Sequence, residues 1–125
     1  MNTKHVPDVE LCQEFDRLCK EKNITLPETE FYWSLIDEKT NHWGVEEDRG
    51  IGDQIPAPLV SEQGEWLKKT DWGVPYTASN WTNWQVRAPH PSGKTYLKGN
   101  TEANARMKCL LYLLENDIID GNAFN

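Results

Sequence analysis

No run of apolar residues in the 125-residue sequence approaches the roughly 20 needed to cross a bilayer, so no membrane span is predicted. The first residues, Met1-Asn2-Thr3-Lys4-His5-Val6-Pro7, lack the apolar stretch of a secretory signal, which predicts a cytoplasmic protein. Cysteine is scarce and odd in number: Cys12, Cys19 and Cys109. Small secreted domains usually carry even disulfide frameworks, so three thiols fit a reducing compartment. There the sequons Asn23-Ile24-Thr25 and Asn80-Trp81-Thr82 would not meet the glycosylation machinery. Histidine is sparse as well. His5, His42 and His90 stand far apart, none with a Cys, His or carboxylate at zinc-ligand spacing, so neither metal nor cofactor is expected.

Positive charge is in deficit, with 13 Lys and Arg against 20 Asp and Glu and a net charge of −7. A surface of that sign repels phosphate backbones and suits a basic protein partner, so nucleic-acid binding is disfavoured. Phosphate loops are missing too: Gly50-Ile51-Gly52 leads into Asp53-Gln54-Ile55-Pro56 without the lysine of a nucleotide site. The run Glu46, Glu47, Asp48 reads as solvated charge rather than an acid–base pair. Cys12 and Cys19 lie two helical turns apart, on one face but too distant to bond, and Cys109 sits in an apolar helix as a small hydrophobe. Without a nucleophile and base at recognisable spacing, the sequence predicts a protein that is not an enzyme.

What the chain does have is periodicity and tryptophan. Its apolar fraction of 38% and its length fit one folded domain over residues 1–125. Leu11, Cys12, Phe15, Leu18 and Cys19 mark one helical face from about Pro7 to Lys22, with Asn23 ending the helix. Phe31, Trp33 and Leu35 alternate as a strand over 30–37, and His42 to Val45 reads as its hairpin return. A charged, flexible loop is expected over about 46–54, followed by an extended Ile55-Pro56-Ala57-Pro58.

Ser61 is the expected cap of a short helix from Glu62 to Lys69, weakened by Gly64. A second hairpin is predicted from Trp81–Ala88 and Lys94–Lys98 around Pro89-His90-Pro91-Ser92-Gly93. The last helix, from Thr101 to about Ile119, carries Ala103, Met107, Leu110, Leu111, Leu114 and Ile118 on one stripe, and Ala105, Cys109 and Tyr112 on a weaker flank. The result is an α+β fold in the order α-β-β-α-β-β-α, an antiparallel sheet packed by the N- and C-terminal helices.

Six tryptophans exceed what one small core absorbs. Trp33, Trp66 and Trp84 fall at inward positions, which leaves Trp43, Trp72 and Trp81, with Tyr76, as candidates for an exposed aromatic patch. Such patches anchor protein partners or stack on sugars. Two binding modes follow: macromolecular recognition through an aromatic and acidic face, or a carbohydrate or small-ligand platform built on Trp72, Tyr76 and Trp81.

The succession Ile55-Pro56-Ala57-Pro58-Leu59, Glu65-Trp66-Leu67, and Ala103 through Tyr112-Leu113-Leu114-Glu115-Asn116 to Ile118-Ile119 resembles small uncharacterised proteins of phages, prophages and mobile elements of gut bacteria. In them a proline-containing extended segment introduces a helix ending in Trp-Leu, and an Ala-rich helix closes the chain. The resemblance implies a non-enzymatic accessory protein in such a setting and brings no mechanism. Gly64 and the acidic stretch from Glu46 to Asp53 depart from the pattern.

Overall fold

The computed structural model describes residues 5–47, 54–68, 75–77, 84–91 and 93–124. In chain order the elements are α1 (Val9–Glu21), β1 (Tyr32–Asp37), β2 (His42–Glu46), β3 (Gln54–Pro56), α2 (Val60–Lys68), β4 (Pro75–Thr77), β5 (Trp84–His90), β6 (Gly93–Gly99) and α3 (Glu102–Glu115), followed by a 3₁₀ turn at Gly121–Phe124. The α+β order predicted from the sequence is present, with two short strands, β3 and β4, added to it. The strands form two antiparallel sheets of three, ordered β2-β1-β3 and β4-β5-β6. Most of the expected loop, residues 48–53, lies outside the described residues; on either side of it Glu46 closes β2 and Gln54 opens β3.

The helix α3 is the hub. Thr101 caps its start from an extended conformation, its hydroxyl accepting from the Asn104 amide at 3.1 Å. Its end comes at Glu115, short of the expected Ile119, because Asp117 adopts a left-handed conformation with φ of 55°. The amides of Asp117 and Ile118 turn back to the carbonyls of Leu114 and Leu113, which satisfies two of the helix's orphan acceptors. Ile118 therefore leaves the apolar stripe and is 45% exposed, a correction to the predicted core. Helix α1 ends the same way, with Asn23 at φ 58° and the Ile24 amide bound to Cys19 O at 2.7 Å.

Around α3 sit the β4-β5-β6 sheet, α1 and α2. Phe15 of α1 stacks on Trp66 of α2 at 6.1 Å between ring centroids, and Phe124 closes the trio edge-on to both, at 5.5 and 5.1 Å. Asn104, buried within α3, ties the N-terminal segment to it. Its Oδ1 accepts from the Asp8 amide at 2.7 Å, while its Nδ2 donates to the Asp8 carboxylate at 3.0 Å and to Asn100 Oδ1 at 2.6 Å. A smaller core of Val6, Phe31 and Ala57 packs with Trp33, Val45 and Leu59 over the β2-β1-β3 sheet.

Helix α2 starts before the expected Ser61 cap. Glu62 reaches back to accept from the Leu59 amide at 2.7 Å, half of a capping box, and Ser61 is exposed inside the helix. Gly64 has a packing reason: a Cβ there would lie 2.5 Å from Arg106 Nη1, which donates to Val60 O at 2.8 Å.

Two glycines on strands make opposite demands. A Cβ on Gly99 would meet backbone atoms of Ala105 and Asn104 at 2.5 and 2.9 Å, so α3 could not approach the end of β6. A Cβ on Gly44 would meet only the exposed side chain of Ile36, at 3.3 Å, which can rotate away. Gly99→Ala is expected to destabilise by about 3 kcal/mol or more, and Gly44→Ala to stay within about 0.5 kcal/mol of the parent, as read from urea unfolding midpoints.

Candidate functional site

The β1–β2 hairpin carries the candidate surface. Its ladder pairs Tyr32 with Glu46, Trp33 with Val45, Ser34 with Gly44 and Leu35 with Trp43, then skips to Asp37 with His42, so Ile36 is an extra residue in a bulge. Paired residues share a face of the sheet. Trp33, Val45 and Ile55 form one row, which the smaller core covers; the Trp33 indole donates to Pro7 O at 2.9 Å.

One step toward the turn, Leu35 and Trp43 continue that face and are only half-buried. The Trp43 indole is held by Asn41, its N–H donating to Oδ1 at 3.2 Å. The bulge sends Ile36 over Gly44 with 55% of its surface in water. The end of the hairpin therefore presents large apolar side chains on both faces, Leu35 and Trp43 half-buried on one and Ile36 exposed on the other, with exposed Asp37, Glu38 and Lys39 at the turn and exposed Glu46 further along β2.

Next to this end lies a polar cluster. The buried Ser34 hydroxyl donates to Glu46 Oε2 at 3.2 Å and accepts from Gln54 Nε2 at 2.7 Å. Gln54 and Tyr32 also help line a pocket of about 240 Å³ with Thr25, Leu26, Pro27 and Glu28. That volume is below the range of sites that enclose a drug-sized ligand, so the extended hairpin surface outweighs the pocket as the candidate.

Of the residues picked from the sequence, Trp43 belongs to this surface. Tyr76 lies in the other sheet, on β4 opposite Gln85, and its side chain is outside the description. Trp72 and Trp81 lie outside the described residues. Leu35 and Ile36 join it, and the one sign of the bulge in the sequence is the adjacent Leu-Ile pair that breaks strict alternation in β1. Trp66 is buried and Trp84 and Trp33 are half-buried, in keeping with their inward assignment.

The thiols are set for packing. Cys12 and Cys109 lie within sulfur hydrogen-bond distance of the carbonyls of Pro7 and Arg87, at 3.6 and 3.7 Å. Burial pushes the Cys19 thiol up to about 11 and that of Cys109 to about 12, and drives Cys12 higher still. A nucleophilic cysteine needs the opposite shift. Because the unfolded thiols ionise near 9.0, the folded chain holds more protons above that pH; this contribution to stability is intact below 9 and declines as pH rises toward the folded values. No reaction with Ellman's reagent is expected from the native protein at pH 8, with three equivalents released in denaturant and a falling unfolding midpoint between about pH 9 and 11.

No family model matches the chain, and no curated protein or solved structure matches it either.

Proposed function

We propose that the chain is a non-enzymatic accessory protein that binds a partner protein at the end of its β1–β2 hairpin. The observation that carries this reading is that Leu35 and Trp43 on one face of a two-stranded projection, and Ile36 on the other, all reach water. Binding energy concentrates where a few large side chains enter a partner's pocket inside a polar rim, and tryptophan is the residue most enriched at such points. The rim here is acidic, so the partner it fits is a protein with a basic surface around an apolar pocket. The raised thiols support a role without covalent chemistry. The phage or mobile-element setting is supported by the resemblance of three sequence stretches alone.

Ile36 and Trp43 differ in what their loss should do. Ile36 is exposed, so Ile36→Lys should leave the unfolding midpoint within about 0.5 kcal/mol of the parent while weakening partner binding on the order of a hundredfold. Trp43→Ala should lower both. The measurement is affinity capture of a stoichiometric partner from bacterial lysate, followed by hydrogen exchange of the complex. Protection confined to residues 35–46 and lost in Ile36→Lys supports the surface; protection elsewhere with the hairpin unchanged would refute it.

A further inference from the structure

We propose that β2 pairs edge to edge with the β2 of a second copy of the chain, joining two β2-β1-β3 sheets across a twofold axis at Gly44. The strand β2 is an outer strand of its sheet. Outer strands present a row of unpaired main-chain groups that template another strand unless proline or lysine blunts them. The opposite edge carries Pro56 in β3, whereas His42–Glu46 contains neither proline nor lysine. No residue of β2 is buried: His42 and Glu46 are exposed, and Trp43, Gly44 and Val45 are half-buried.

The register fixes which main-chain groups face outward. The Ala57 amide donates to Phe31 O at 3.0 Å, in line with the pairing of Trp33 with Ile55, so the odd residues of β1 turn their main-chain bonds toward β3. Pro56 fits this pattern, since opposite Tyr32 its missing donor lies on the side away from β1. The even residues Tyr32 and Ser34 then bond to Glu46 and Gly44. By alternation the amides and carbonyls of Trp43 and Val45 point away from β1, and among the described residues no hydrogen bond reaches them.

Complementarity within the strand selects a second copy as the occupant. Turned end for end about Gly44, β2 sets Trp43 opposite Val45 of the copy, and the two such pairs exchange four main-chain bonds through these outward groups. Each pair also places an aromatic ring beside a β-branched side chain on one face. His42 falls opposite Glu46 of the copy, where an imidazole N–H donates to a carboxylate in either protonation state. On the axis Gly44 meets itself, and Ile36, which lies over Gly44 with 55% of its surface in water, meets its own copy. Sliding the copy by two residues loses this match. One direction puts Glu47 opposite Trp43, and the other puts Val45 opposite Asn41, whose φ of 53° ends the strand. The pairing goes beyond the partner-binding reading and does not rest on it. It covers Ile36, so a partner at the hairpin end competes with the second copy.

Sedimentation equilibrium of the pure full chain tests the pairing. A monomer–dimer equilibrium is expected, with a dissociation constant on the order of 100 μM for an interface of this small size. Each copy carries −7, so the dimer should tighten severalfold between about 25 and about 500 mM salt, the reverse of binding to a basic partner. Gly44→Cys should cross-link two copies under oxidised glutathione, because the Cα atoms of a non-hydrogen-bonded pair lie about 4.5 Å apart, within disulfide range. The native thiols are buried and do not compete. Lys39→Cys, at the exposed turn, should stay largely unlinked over the same time. Gly44→Lys should weaken the dimer by roughly tenfold or more, with circular dichroism confirming that the variant folds. A chain that stays monomeric at about 1 mM in both salts would overturn the proposal and leave the partner site to its own exchange experiment. A dimer in which Gly44→Cys links no faster than Lys39→Cys would overturn it as well, since the copies would then meet elsewhere.

Discussion

A helix that is apolar on nearly every side must be covered on nearly every side, and that requirement on α3 organises the molecule. Met107, Leu110, Leu111, Leu113 and Leu114 are all buried there, each contributing about 1.5–3 kcal/mol relative to exposure. Their sum is comparable with the whole net stability of a small domain, about 5–15 kcal/mol, so the packing around α3 outweighs any single contact elsewhere. One sheet cannot enclose such a helix. The β4-β5-β6 sheet takes one side, α1 and α2 take others, and the small residues Ala103, Ala105 and Gly99 allow the close approach that this crowding needs. Apolar contacts alone would permit sliding along the helix. Asn104 opposes that, since its amide must face both the Asp8 amide and the Asp8 carboxylate, and an unpaired buried amide costs about 1–3 kcal/mol.

The β2-β1-β3 sheet stands outside that enclosure. It connects to the hub through β3 on α1 and through the N-terminal segment, where Pro7 O accepts from the Trp33 indole and Val6 enters the smaller core. The fully covered part of this sheet is short, and by Leu35 and Trp43 the cover has thinned. Rigidity and availability are thus divided between the two sheets. A binding projection benefits from that division, because its side chains can adapt to a partner without disturbing Met107 and its neighbours.

Elements with their own periodicity were legible in the sequence. The alternation of Trp33 and Leu35, the stripe of α1 and the stripe of α3 each announce a face, and the structure has an element in each place. What escaped depends on partners distant in the chain. Pro56 and Pro58 argue against a central strand, yet an edge strand tolerates proline, and Gln54–Pro56 pairs with β1. Ile118 follows the helical stripe, but Asp117 in a left-handed conformation ends the helix before it; aspartate gives that signal less clearly than glycine does. Phe124 lies beyond every periodic segment and still completes the aromatic trio. The candidate surface was legible through Trp43 alone, because the exposure of Ile36 follows from a bulge, and a bulge is a property of two strands together.

Net charge is the plainest case of a sum hiding its terms. At physiological ionic strength fields decay over about 8 Å, while a chain of this length has a radius of gyration of about 14 Å, so opposite faces lie several screening lengths apart. A partner at the end of the β1–β2 hairpin therefore senses Asp37, Glu38 and Lys39 at close range, and the basic residues between 84 and 108 only through screened solvent. The acidic majority acts at longer range, speeding the approach of a basic partner at low salt. Added salt removes that steering before it weakens contacts at the docking surface. The charges within a screening length of the docked side chains, rather than the value of −7, set how far salt changes a partner's affinity.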